Sequence, residues 1–431
     1  MSDTEGSVSI KKDIPPVSPT LMWIVTSAFF FYALIARASF VTVLAHDFMQ
    51  FFQIDAVGLG TLTSCYYWVY TFMQIPSGIM IDRYSNKTIV AVMSGTVAIG
   101  LILLATVPNC YVAGFAEMLI GFGSSFSFLI VLKMITTWFP QQKVAVMTSY
   151  TMTLGACGPF VGGPLVSFLA DHVNWHTVMV VYAGLGVLIG ILICFVTNTP
   201  KKESEETKNV KEKAMGSLLS DLRAVLSSKN LWILGFLTLA LYAPVSSLGD
   251  LWGVSFAQNV FHVSRTKAAI ISNMLYVGYT VGCPLSPHFA NYINSYKKTM
   301  NYAIICLTLC LVLLVLPYEW PLPFAYILFF LVGFFSGAQL TYALGFLEMP
   351  ARIGGTVSSF INMMSMISGI ILMPLVGWAI DSSWNGAMEN GVKIYTAADF
   401  KYGVSYVVLF VFVGAIISFF VKDHAPSEAR K

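Results

Sequence analysis

The chain has 431 residues, of which 57% are hydrophobic and only 10% charged, and its mean hydropathy is +0.74; an average soluble domain is about 25% charged. Apolar runs of roughly 20 residues, each enough to cross a bilayer, recur from end to end, so water is excluded as the main solvent. The net charge of +3 is small and sorted by membrane side rather than gathered in a patch, which excludes nucleic acid as a partner.

Residues 1–20 are polar and Pro-rich, and no cleavage-site pattern precedes the first apolar run. They read as a cytoplasmic tail, not a signal peptide. Six apolar segments follow at about 21–45, 57–81, 89–108, 111–136, 144–168 and 177–198. Residues 199–230 contain KKESEETKNVKEK and then LLSDLRAVLSS, a charged linker that ends in a short amphipathic surface helix. Six further runs lie at about 231–257, 266–289, 300–317, 323–348, 354–380 and 402–421, and a tail of 422–431 closes the chain. Unpaired backbone groups are costly in hydrocarbon, so each run is predicted to be a helix, and the lack of period-two alternation excludes a barrel. The predicted architecture is an all-α membrane protein of twelve transmembrane helices, arranged as six-helix bundles over 21–198 and 231–421.

Lys and Arg set the orientation. Of the 24, only Arg265, Lys267, Lys393 and Lys401 fall on one side of the membrane, and Arg37 and Lys133 lie within apolar runs. All the rest share the side of both termini, which is therefore expected to be cytoplasmic. The seven cysteines sit in or beside apolar runs without a CxxC or a neighbouring His, a pattern of inert packing rather than of disulfides or metal. No metal site or cofactor is expected.

At the end of the second run stands Gly78-Ile-Met-Ile-Asp82-Arg83-Tyr84-Ser85-Asn86-Lys87. This resembles the signature loop of the major facilitator superfamily. Gly78, Asp82, Arg83 and Lys87 fit it, while Ser85 replaces a second Gly and Asn86 a basic residue. Small Gly78 permits close helix approach, and Asp82 can meet a cation and the positive end of a neighbouring helix. The matching stretch of the second half runs from Gly282 to Tyr292 with Ala290 at the Asp position, followed by Lys297 and Lys298, which predicts a latch on one half only. Helix five carries Gly155-Ala-Cys-Gly158-Pro159-Phe-Val-Gly162-Gly163-Pro164, similar to the Gly-Pro motif of the superfamily's antiporters and equally a packing and bending device. Helix four has Glu117 where drug/proton antiporters carry Arg. Trp138-Phe139-Pro140, Asn174-Trp175-His176 and Gly249-Asp250-Leu251-Trp252-Gly253 resemble junctions of organic-anion and nutrient carriers.

The resemblance implies a central cavity lined by helices one, four, seven and ten. Charge is costly within hydrocarbon, which singles out Arg37 on helix one, Glu117 and Lys133 on helix four, and Asp250 on helix seven. Arg37 and Glu117 lie at similar depth and are expected to pair. Asp250 is the expected protonation site, with Ser246 one turn below it. Lys133 falls about 160° around the helix from Glu117, and either snorkels to the headgroups or meets substrate. Tyr66, Tyr67, Tyr70 and Gln74 on helix two, Asn273 and Tyr276 on helix eight, Gln339 and Tyr342 on helix ten and Asn362 on helix eleven complete the candidate site.

There is no GxxxxGK[ST] loop and no catalytic constellation, so neither ATP-driven transport nor an enzyme is expected. The reading is alternating access driven by an ion gradient, with protons as partner. The cargo is a small anionic or zwitterionic solute such as a carboxylate, amino acid or small peptide, moved by a monomer in a bacterial inner membrane. Two rivals stand beside it: a proton-coupled exporter of drugs or siderophore-like compounds, and a non-transporting membrane receptor that keeps the fold for sensing.

Overall fold

Polar residues that sit poorly in hydrocarbon mark where the helices begin. Ser18 Oγ accepts from the Leu21 amide at 3.2 Å, Asp55 Oδ1 from Gly58 at 2.9 Å, and Asn109 Oδ1 from Tyr111 and Val112 at 2.9 and 3.2 Å. Ser228 and Ser295 cap in the same way, and Thr396 with Asp399 forms a complete capping box. The computed structural model describes residues 18–196, 220–350, 353–389 and 392–422.

Twelve helices carry the chain back and forth. They are α1 Pro19–Val43, α2 Ala56–Arg83, α3 Asn86–Thr106, α4 Cys110–Trp138, α5 Gln141–His172 and α6 Trp175–Val196, then α7 Lys229–Phe261, α8 Arg265–Ile293, α9 Tyr296–Val315, α10 Leu322–Glu348, α11 Gly354–Ser382 and α12 Ala397–Ser418. Eleven candidate spans satisfy both length and hydropathy for a membrane crossing. The other, α2, has 28 residues but is diluted by tyrosines, threonines and glycines. A two-turn helix, Ala45–Phe52, follows α1, a two-stranded hairpin, Met388–Glu389 with Val392–Lys393, precedes α12, and residues 220–227 are helical. The first part of the expected linker lies outside the described residues.

The two halves repeat one packing scheme. α2 lies on α4 as α8 lies on α10, α3 on α6 as α9 on α12, and α1 on α5 as α7 on α11. Between halves, α2 meets α11, α5 meets α8, and α1 meets α7. Lipid offers helices no hydrophobic drive to associate, so close backbone approach through small residues does much of the work. A Cβ at Gly278 or Gly282 would collide with the carbonyl of Phe330 or Phe334, and one at Gly333 with that of Leu275, which leaves α8 and α10 in main-chain contact.

One end of the bundle is the terminal end, where the chain enters α1 and leaves α12; the other is the far end. Glycines seal the far end between halves. Gly60 of α2 leaves no room for a Cβ beside the Met373 carbonyl of α11, Gly377 none beside Ala56, and Gly163 of α5 none beside the Asn273 amide of α8. At the terminal end Gly78 faces open space, with nothing within 4 Å of an added Cβ. Among the described residues the close helix approach expected at Gly78 is absent from this conformation.

Four helices are interrupted. α1 breaks at Ser39, α4 between Ser124 and Ser127, and α10 between Ser336 and Thr341. α7 widens into a π-helix over Val245–Trp252. These are the four helices expected to line the cavity, and irregular backbone at membrane depth is tolerated where protein or a polar interior surrounds it.

Candidate functional site

The π-helical segment of α7 presents Asp250 to the interface between the halves, with 1% of its side chain exposed. π turns are rare and concentrate at functional sites. Arg37 of α1, 8% exposed, reaches across and donates from Nη2 to both carboxylate oxygens, at 3.1 and 3.2 Å, and to Tyr242 Oη at 3.1 Å. Tyr67 of α2 and Tyr276 of α8 each donate a short hydrogen bond to one oxygen of Asp250. The guanidinium also stands 5.9 Å from the centroid of the Tyr67 ring. Thr42, beyond the break in α1, donates to the Leu251 carbonyl at 2.8 Å and fastens α1 to the wide turn.

Burying an ion pair is favourable only when the remaining valences are satisfied. Asp250 meets that condition with one cation and two phenols. Arg37 meets it incompletely, since its Nε is buried without a partner. One planar donor of the fork therefore stays free at the centre of the interface.

The arrangement corrects one pairing. Arg37 joins Asp250, not Glu117. Glu117 is buried, 3% exposed, and α4 turns it toward α2 near Cys65; Gly114, one turn earlier, would put a Cβ 3.6 Å from the Cys65 sulfur. Among the described residues Glu117 makes no hydrogen bond or ion pair. Equal depth did not bring the two together because their helices face different neighbours. Ser246 also departs from expectation: in the π segment it accepts from Ser368 of α11 at 2.8 Å and so faces α11. Lys133 donates to the Ile81 carbonyl near the end of α2, at the terminal end and distant from Arg37. A cation there suits the negative end of a helix.

Beneath Asp250, toward the terminal end, half-buried polar side chains continue along the interface. Tyr70 stacks on Tyr66 with centroids 5.6 Å apart. Gln74 of α2 accepts from Asn362 of α11 at 3.2 Å, and Tyr342 of α10 donates to Asn362 at 3.4 Å. Gln339 lies in the break of α10, where Nε2 donates to Ser336 at 3.2 Å and Oε1 is buried without a partner. Asn273 Nδ2, against Gly163, is likewise unpartnered. Tyr242 was missed in the sequence reading, although it precedes Asp250 by about two turns.

The remaining motif residues are placed as follows. The side chains of Asp82 and Arg83 lie outside the described residues. Lys87 sits in the first turn of α3, half-buried. Gly155 and Gly162 leave no space for a Cβ against Phe30, Ile35 and Ser39 of α1, and a Cβ at Gly158 would lie 3.3 Å from the Phe31 carbonyl; Pro159 stands within unbroken α5. The Gly-Pro run thus seats α5 on α1.

Two ion-pair clusters close the far end, one on each flank of the interface. Lys393, before α12, lies 2.5 Å from Asp381 of its own half and 3.4 Å from Asp55, the cap of α2. Tyr395 accepts from the Ala56 amide at 3.1 Å and donates to Asp381 at 2.9 Å. On the opposite flank Arg265, at the start of α8, lies 3.0 Å from Asp47 and 3.9 Å from Asp171 of the first half. Both bridging cations belong to the second half.

The sequence profile of the Major Facilitator Superfamily matches residues 25–373. A probable galactarate/D-glucarate transporter of Escherichia coli is 23% identical over 400 residues, covering 83% of this chain and 85% of that one; its Bacillus subtilis counterpart aligns over 206 residues, 45% of each chain, at 25%. The D-galactonate transporter of Escherichia coli is 22% identical over 79% of this chain and 84% of its own. Among solved structures, a bacterial homolog of the human lysosomal transporter Spinster, inward-facing and occupied, superposes with a TM-score of 0.71 at 15% identity, covering 93% of this chain and 96% of that one. The nucleoside transporter NupG superposes at 0.69 and 16%, over 92% and 98%. With the profile matched over most of its length, the chain belongs to the major facilitator superfamily and is a multi-pass membrane transporter, not an enzyme.

Proposed function

We propose that the chain imports a small organic anion together with protons, by alternating access across a bacterial inner membrane with both termini in the cytoplasm, and that it acts as a monomer. The observation that carries this reading is the Arg37–Asp250 pair, buried between the halves. A solute carboxylate matches the planar fork of Arg37 and competes with Asp250 for it. Asp250 released as an anion would be left buried and uncompensated, at a cost of several kcal/mol. A proton removes that cost, so binding of the anion and uptake of a proton favour each other. Termini in the cytoplasm make the far end the outside, and the state described here is closed on that side.

The relatives named as transporters of galactarate, D-glucarate and D-galactonate suggest a hydroxylated acid. Its carboxylate would take Arg37, and its hydroxyls the amides and phenols of Gln74, Asn273, Gln339, Tyr342 and Asn362. The test is uptake of labelled galactonate and galactarate into proteoliposomes with and without an imposed inward proton gradient. Uptake is expected to accelerate with the gradient, and Asp250→Asn to abolish that acceleration while exchange of external for internal solute persists. Efflux alone, or an Asp250→Asn carrier that still responds fully to the gradient, would sink the proposal.

A further inference from the structure

On the outer surface of the second half, α8, α9 and α10 leave a cleft of about 540 Å³, of the size of a small-ligand cavity. Leu285 and Phe289 of α8, Ala303 and Cys306 of α9, and Phe334 and Phe335 of α10 line it. Its floor is main chain, because the glycine contacts of α8 with α10 admit no side chain between them, and a Cβ at Gly337 would stand 2.8 Å from the Cys283 amide. From Gly282 to Tyr292 it follows ten residues of α8, about 15 Å of rise. That is one leaflet of a hydrocarbon core about 30 Å thick.

The cleft has an apolar end and a polar end. The apolar end lies at mid-membrane. At the terminal end, α8 closes on Asn294 in the left-handed region at φ 54°, and the chain turns directly into α9 through Lys297 and Lys298. Lys298 stands one turn before Tyr302, a lining residue, and so shares its face. Neither lysine is ion-paired among the described residues. His288 and Tyr292, also lining residues, are exposed at this end, and His288 bonds the Pro284 carbonyl through Nδ1 at 2.8 Å, leaving Nε2 unused. Lys298 and the exposed His288 at headgroup height above a slot one leaflet deep match an anionic phospholipid, and basic pockets between helices on the cytoplasmic side are where such headgroups bind.

We propose that this cleft holds one anionic phospholipid of the terminal-side leaflet, with an acyl chain against Leu285, Phe289 and Phe335 and its phosphate on Lys298, beside His288. The lipid would brace α8, the helix that carries Tyr276 to Asp250.

The test uses the purified full chain in detergent, titrated with phosphatidylglycerol or with phosphatidylcholine of the same acyl chains, and read by native mass spectrometry and by thermal unfolding. One phosphatidylglycerol is expected to stay bound and to raise the melting temperature more than phosphatidylcholine does. Lys298→Gln should weaken phosphatidylglycerol about fivefold and erase the preference. Cys306→Trp, which fills the slot, should release both lipids. Equal retention of the two lipids by the unaltered chain, or a preference that survives loss of Lys298, would overturn the proposal. The lysine variant lies at the surface and decides the matter even if Cys306→Trp fails to fold.

Discussion

Among the described residues, ion pairs tie the two halves at the centre of the interface and on both flanks of the far end, in opposite surroundings. Arg37 and Asp250 meet where almost no water reaches, ringed by phenols, whereas Lys393 and Arg265 meet their carboxylates at the far surface with a fifth to two fifths of each side chain exposed. Coulomb attraction is strong in the first setting and screened in the second. Desolvation reverses the lesson for mutants: removing one member of a buried pair strands a charge, while removing one member of an exposed pair only returns its partner to water. The central pair is thus able to register whether a solute or a proton is present, and the outer clusters are able only to bias how readily the far end parts.

The sharpest break of that contrast is at the centre. Arg37→Gln should destabilise the folded protein by about 3–5 kcal/mol, since Asp250 is left uncompensated. Adding Asp250→Asn should recover much of the loss, and thermal unfolding of both singles and the double gives the coupling directly. Independent, additive losses would mean that the pair is not a unit.

A smaller effect is expected from the phenols. Tyr67→Phe and Tyr276→Phe each remove a hydrogen bond to a charged acceptor, worth about 1.5–3 kcal/mol. Glu117→Gln supplies the control. A carboxyl with no ion pair in hydrocarbon is best accommodated neutral, and its isosteric amide should leave uptake and stability nearly unchanged. A loss as large as that of Arg37→Gln would show that Glu117 carries a charge in the working cycle.

The smallest effects belong to the far end. Lys393→Gln and Arg265→Gln should each cost about 0–1 kcal/mol. The difference should vanish in roughly 1 M salt, where the screening length is about 3 Å. Burial alone would lower the pKa of Lys393, but the hydrogen bond and charge of Asp381, with the charge of Asp55, outweigh it and raise the value. A raised lysine pKa stabilises fully below the ordinary value of about 10.4, and the contribution is lost as pH rises through the folded-state value. The Lys393 cluster should therefore hold through neutral pH and loosen only in alkali, seen as a Lys393-dependent fall in melting temperature.

Much of this was legible in the residues alone. The twelve runs gave the helices, because hydrocarbon leaves a backbone few choices. Charges inside those runs gave Arg37 and Asp250, because hydrocarbon tolerates few of them. The partner of Arg37 was not legible, since depth along a helix is one coordinate and azimuth between bundles another. Tyr242 escaped because Tyr67 and Tyr276 are each marked by a second phenol or an amide one turn away, whereas Tyr242 has neither three or four residues along its helix. Lys393 and Arg265 were visible as charges on one side, but their ties to Asp55 and Asp47 depend on how the halves lean together. The π segment was invisible for a different reason: VSSLGDLW reads equally well as an ordinary helix, and only packing selects the wider hydrogen-bonding pattern.

That wide turn has an evolutionary corollary. Hydrogen bonds from i to i+5 let a helix take up one residue more than an α turn would hold, and both flanks of α7 remain helical around it. A single inserted codon in an ancestral helix is enough to create it, and a single deletion between Val245 and Trp252 enough to erase it. Deletion would tighten it to an α turn, keeping both flanks in register and changing which residues of the segment itself face the interface. Point substitutions can change which group faces Arg37, but here one indel can take the acid away from it with Asp250 itself still in the chain.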